Sequence, residues 1–171
     1  LYYLQVKKIN TNIFVSTTFA KDESKISEVL KICKEANILN IELGSNHVYE
    51  RNFKKIIKKY KFNYLIHNYF PVPKKSFVVN IASAKKNIRI LSIKHIKKAI
   101  LFCKSTKSSL YTFHPGFVGD PKGPSRSKKN YDFIWEKKIL NSNYNLAFYR
   151  MISSLKKIIN FAKKNNVKIA I

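Results

Sequence analysis

Acidic residues are what this sequence most lacks: nine Asp and Glu stand against 34 Lys and Arg, a formal charge of +25. Such a balance invites a nucleic-acid reading. Arginine, however, is almost as scarce. Arg51, Arg89, Arg126 and Arg150 are the only four, and the lysines are spread over the polar side of every predicted helix. A phosphate-tracking groove favours clustered charge and guanidinium forks. The abundance of Lys, Ile and Asn is instead what a coding sequence rich in A and T produces, so nucleic acid is the lesser partner reading. Weak salt-sensitive attraction to polyanions follows in either case.

Cysteine is limited to Cys33 and Cys103, each at an apolar helical position and far from the other in sequence. That excludes a disulfide framework and leaves two small buried hydrophobes. There is no apolar run of about 20 residues, so no membrane span is expected. The opening LYYLQVKKIN lacks both a starting methionine and the apolar centre of a secretion signal. These absences point to a reducing cytoplasm. Glycine is equally sparse, and STTFAKDES, after the first predicted strand, contains none. A dinucleotide-binding fingerprint is therefore missing.

What is present is regular alternation. NIFVSTTF (12–19), LNIEL (39–43), NYLIH (63–67), SLYTFH (109–114) and VKIAI (167–171) read as buried strands. Between them lie helical patterns. Asp22 or Ser24 is expected to cap the first, whose apolar stripe is Ile26, Leu30, Cys33 and Ala36. Phe53, Ile56, Ile57 and Tyr60 mark the second, and Ile93, Ile96, Ile100 and Cys103 the third. Phe148, Ile152, Leu155, Ile159 and Ala162 mark the fourth. Strand and helix in strict turn predict an α/β fold with a parallel sheet. No internal boundary or repeat interrupts it, so residues 1–171 read as a single domain.

The few glycines and prolines are not scattered. All five prolines and three of the four glycines fall in the long connections after strands three and four. Those loops leave the C-terminal ends of strands, where parallel α/β folds build their sites. His67 and His114 end those same two strands. Neighbouring parallel strands would bring the two imidazoles to one ligand or metal ion, and Glu42, late in strand two, points to the same mouth. His47 lies just beyond strand two, within reach of the site. His95 falls in a Lys-rich helix and is expected on its solvated face. Asp120 reads as a turn residue. Asn80 and Ser83 are placed to cap the third helix, or Asn80 to hold the loop near the site. Tyr69, Phe70 and Phe77 are candidates for a pocket wall. KGPSRSKK offers Lys122, Ser125 and Arg126 as an anion grip.

The compound pattern IHNYF…FVVNIAS…FHPGF resembles the xylose isomerase-like TIM-barrel superfamily, which includes sugar-phosphate isomerases and epimerases and metal-dependent apurinic endonucleases. The resemblance runs from the first strand to the fifth. It implies the N-terminal portion, about four and a half β/α units, of a (β/α)8 barrel, and an incomplete domain, since the family's glutamate after VKIAI falls beyond Ile171. It implies a metal-dependent sugar or sugar-phosphate isomerase or epimerase, with a divalent Mn, Mg or Zn ion as cofactor and a sugar or sugar phosphate as substrate. By the same resemblance His67 and His114 orient or polarise the substrate or ligate the metal, with Glu42 in support. His47, Asn80, Lys122 and Arg126 are expected to bind substrate. The alternatives are an apurinic-site endonuclease, in which both histidines ligate metal, and a noncatalytic binding module. An unfinished barrel is also expected to expose strand edges and an apolar interior face, and so to associate with itself as a homo-oligomer.

Overall fold

The computed structural model describes residues 13–121, 123–124, 133–134 and 144–171. Five strands form one parallel sheet: β1 (Val15–Ser16), β2 (Asn40–Leu43), β3 (Asn63–His67), β4 (Leu110–Thr112) and β7 (Lys168–Ala170). Their spatial order is β1-β2-β3-β4-β7, each pair parallel, so the sheet follows chain order as a TIM barrel does. Helices α1 (Ile26–Glu35), α2 (Phe53–Lys59), α3 (Lys86–Thr106) and α4 (Tyr144–Lys164) fill the crossovers. A small antiparallel pair, β5 (Gly123–Pro124) with β6 (Phe133–Ile134), lies in the connection before α4. The chain is thus α/β, the N-terminal portion of a TIM barrel. No described helix is long and apolar enough to cross a membrane.

Alternation along the strands divides the sheet into two faces. Ile41, Leu43, Tyr64, Ile66, Tyr111 and Phe113 are buried. They share one core with Leu30 and Cys33 of α1, Ile57 of α2, Ile96 and Ile100 of α3, and Leu155 and Ile158 of α4. Both cysteines are free and buried, as expected. The other face carries the alternate residues. Register aligns Ser16 with Glu42 and Leu65, and His67 with Thr112 and Ala170. Asn40, Asn63 and Lys168 continue it. Leu65 and Leu110 are its apolar members; the rest of this face is largely polar, against the expectation of an apolar interior.

Three elements differ from expectation, and in each a polar side chain is used internally. The first strand is only two residues long. The chain turns into a 3-10 helix at Thr17–Phe19, where buried Thr17 accepts the Gly44 N–H through Oγ1 at 2.8 Å. Helix α1 starts at Ile26 and is capped by neither Asp22 nor Ser24. Ser24 Oγ donates to the Lys21 carbonyl, and Asp22 accepts from the Asn46 amide. The Glu50 carboxylate, from the loop after β2, caps α1 instead, taking the Ser27 N–H at 3.0 Å and its hydroxyl at 2.8 Å. Ala36 lies past the helix end and is exposed. Helix α4 is rotated from its expected stripe: Ala147, Ser154, Leu155, Ile158 and Ala162 are buried, while Phe148 and Ile159 face outward. Arg150 Nε donates to the Ala82 carbonyl and Ser154 Oγ to the Ile81 carbonyl, so two polar anchors set the helix azimuth.

Candidate functional site

His67 is the last residue of β3, and His114 lies just beyond β4. Their rings meet edge to face, centroids 5.6 Å apart and planes at 86°. The two histidines therefore share one rim of the sheet. His67 is half-buried and His114 exposed. His67 Nδ1 is hydrogen-bonded to Thr112 Oγ1 at 2.7 Å, which fixes the ring plane and engages one of its two nitrogens. Burial holds the His67 pKa below the usual histidine range; the Glu42 carboxylate pulls it back up and His114 pushes it down. The ring is consequently neutral at neutral pH.

Strands β3 and β4 are laced together just behind this pair. The Asn68 N–H donates to the Thr112 carbonyl at 2.6 Å, and the buried Tyr111 hydroxyl donates to the Asn68 carbonyl at 2.6 Å. A second lattice holds the loop that carries His114. Asn80 has no exposed surface. Its Oδ1 accepts the N–H groups of Ala82 at 3.0 Å and Phe117 at 3.1 Å, and its Nδ2 donates to Asp120 at 2.9 Å. Ser83 Oγ donates to the other Asp120 oxygen at 2.6 Å. The Asn80 N–H donates to Ser92 Oγ at 2.9 Å, tying the loop to α3. Gly116 has φ +130°, and a Cβ there would lie 2.2 Å from Asn80 Oδ1. The glycine is required by both backbone angle and close approach.

The remaining sequence candidates sort clearly. Asn80 organises the loop through Oδ1 and one Nδ2 hydrogen, and neither Asn80 nor Ser83 caps α3, which starts after Lys85. Asp120 is a turn residue that also anchors the loop. His47 is 6% exposed. Its Nδ1 faces the Ser24 carbonyl at 3.2 Å and its Nε2 the Thr17 hydroxyl at 2.8 Å. The carbonyl requires Nδ1–H, so the Thr17 hydroxyl donates to Nε2, and the ring is a fully bonded neutral strut. Burial lowers its pKa accordingly. His95 is not on a solvated face: it is 5% exposed and packs against Tyr69 (5.2 Å) and Phe77 (5.7 Å). It sits on the same side of α3 as buried Ser92, Ile96 and Ala99. Phe70 lies in the core against Phe53 and Phe102, whereas Tyr69 and Phe77 line a cleft of about 550 Å³ that opens beside His114. Lys122, Ser125 and Arg126 lie outside the residues whose side chains are described.

Thr112 is the site residue that sequence reasoning misses. Its signal is simple: it precedes His114 by two, pairs with His67 in register, and so must share a face with both. For a metal the fit is incomplete. Among the described residues no group of three or more His, Cys, Asp or Glu is placed to hold an ion. Two imidazoles and a carboxylate in this arrangement can polarise and orient a polar ligand; they do not by themselves form a metal centre.

A parallel sheet in chain order, with His67 and His114 together at the C-terminal strand ends, defines a TIM-barrel class of protein. The model of the xylose isomerase-like TIM barrel matches residues 20–171, and the chain belongs to that family. Solved structures agree on the fold. A D-tagatose 3-epimerase-like protein superposes with a TM-score of 0.62 at 20% identity, over 91% of this chain and 50% of that one. An L-ribulose 3-epimerase gives 0.54 at 14% identity, over 93% and 48%. A Thermus thermophilus protein soaked with ZnCl2 gives 0.56 at 8% identity, over 92% and 53%. The chain spans about half the length of each of these structures. No curated protein matches the sequence significantly.

Proposed function

We propose that the protein is a sugar or sugar-phosphate isomerase or epimerase, moving a proton on the carbon next to a carbonyl. The observation that carries this reading is the His67–His114 pair at adjacent strand ends, with Thr112 and Glu42 behind it. Family membership and the two epimerase-named structures support it. In this reading His67, neutral and held through Nδ1, presents Nε2 to a substrate oxygen. His114, exposed at the rim, contacts the neighbouring oxygen of the hydroxy-carbonyl unit. Glu42 sets the polarity around His67. Oriented donors at a developing oxyanion lower the barrier to proton removal. The divalent Mn, Mg or Zn ion of the family resemblance would need donors beyond His67, His114 and Glu42, and no step here runs through it. Lys122 and Arg126 remain the proposed grip for a phosphate.

The test is incubation of the protein with ketopentoses and ketohexoses in D2O. Deuterium should appear on the carbon beside the carbonyl, and His114→Ala should abolish it; unchanged incorporation refutes the role of His114. One observation favours a second reading, an apurinic-site endonuclease: the formal charge of +25. Nicking of abasic duplex DNA, without sugar exchange, would select it.

A further inference from the structure

The cleft beside His114 runs outward from the rim, between the loop after β3, the first turns of α3 and the loop after β4. Its polar lining includes Ser45, Asn68 and His114, which follow β2, β3 and β4 in turn. Its apolar lining includes Phe77, Val78, Val79, Ile88, Leu91 and Phe117. Leu91 is 44% exposed on α3, an apolar side chain turned toward an open space. The Phe77 wall is fixed from behind, since its N–H donates to the Tyr69 hydroxyl and its ring packs on Tyr69 and His95. No Lys or Arg is among the described lining residues; the acidic one is Asp120, held by Asn80 and Ser83. A volume of about 550 Å³ with mostly apolar walls and a few polar groups is the form of a small-molecule site. It exceeds what a bare sugar at the rim would occupy.

We infer that this cleft binds an apolar substituent of the substrate, so that the ligand is a sugar bearing an alkyl, acyl or aryl group whose polar head sits at His114. The inference rests on the sugar-active reading of the rim and extends it outward. A head held by His114 and a tail against Phe77, Ile88, Leu91 and Phe117 share the one cleft that all five line.

The test uses methyl, butyl and hexyl β-D-glucosides as unreactive probes, titrated into the full chain by isothermal calorimetry. Each added methylene that enters the cleft should tighten binding about fourfold. Leu91→Lys, at an exposed helical position that tolerates lysine, should flatten that dependence. Inorganic phosphate at millimolar concentration should not displace hexyl glucoside, and 1-hexanol should bind more weakly than hexyl glucoside. Affinity independent of chain length overturns the proposal, as does the same dependence in Leu91→Lys, displacement by phosphate, or 1-hexanol binding as tightly as the glucoside. Binding is read here without turnover. A protein that binds the series but exchanges no sugar proton therefore loses the isomerase reading and keeps this one.

Discussion

Thr112 Oγ1 lies 2.7 Å from His67 Nδ1, across the β3–β4 register pair that these two residues themselves form. The hydroxyl thereby decides how the imidazole is presented. Replacing Thr112 with Val keeps the shape and removes the bond, worth about 1 kcal/mol or more where half-buried. Turnover should fall roughly tenfold, since about 1.4 kcal/mol is a factor of ten. Thr112→Ser should restore most of it. Equal loss in both variants, measured as kcat/KM on the sugar that exchanges, would mean that the hydroxyl is not what matters.

The pH response of that turnover has a definite sign. His67 is depressed by burial and partly restored by Glu42. If the neutral ring is the working form, activity falls only on the acid side, below the ordinary histidine value of about 6.5. Removing the carboxylate in Glu42→Gln takes away the effect that raises the His67 pKa, so the acid limb should move to lower pH. A pH-rate profile checks this, and movement to higher pH would contradict it.

Gly116 packs directly on Asn80. A methyl group at position 116 meets Asn80 Oδ1 at 2.2 Å and Asn80 Cα at 2.9 Å, at a φ that L residues rarely adopt. Gly116→Ala should cost at least about 2 kcal/mol. Asn80→Ala strips partners from two N–H groups and from Asp120, and should cost roughly 3 kcal/mol. His114→Ala, at an exposed position, should stay within about 0.5 kcal/mol of the parent. Denaturant midpoints order the three.

His95 makes stability pH-dependent. Its pKa is pushed down to about 4, chiefly by burial, against about 6.5 in the unfolded chain. Below pH 6.5 the unfolded state takes up the proton first. Stability is therefore full above 6.5, is lost as pH falls toward 4, and loses nothing further from this group below that. The total is roughly 3 kcal/mol. His95→Phe keeps a ring between Tyr69 and Phe77 and removes the titration. Its stability should decline less over that window than the parent's, as followed by chemical denaturation.

The frame of the molecule was legible because its signals are local and periodic. NYLIH is β3 to the residue, and the spacing of Ile96, Ile100 and Cys103 does face the core. Two histidines at matching strand ends implied a shared rim before any coordinates, and the ring separation of 5.6 Å agrees. What could not be read was where buried polar groups find partners. His95 looked solvated because its neighbours in sequence are lysines, yet Tyr69 and Phe77, some 20 residues away, enclose it. His47 looked available until Thr17 and Ser24 took both nitrogens. Phe148 and Ile159 followed the apolar period of α4, but Arg150 and Ser154 turned the helix through bonds to the Ala82 and Ile81 carbonyls. Each miss is a long-range hydrogen bond or ring contact that outweighs local pattern.

The central claim is that His67 and His114 serve one ligand together. Ring-nitrogen NMR of the two histidines during titration with a ketohexose reads it most directly. Both sets of resonances should move along the same saturation curve, and His114→Ala should weaken the response of His67. A shift confined to one ring, or two curves with different midpoints, would contradict the claim.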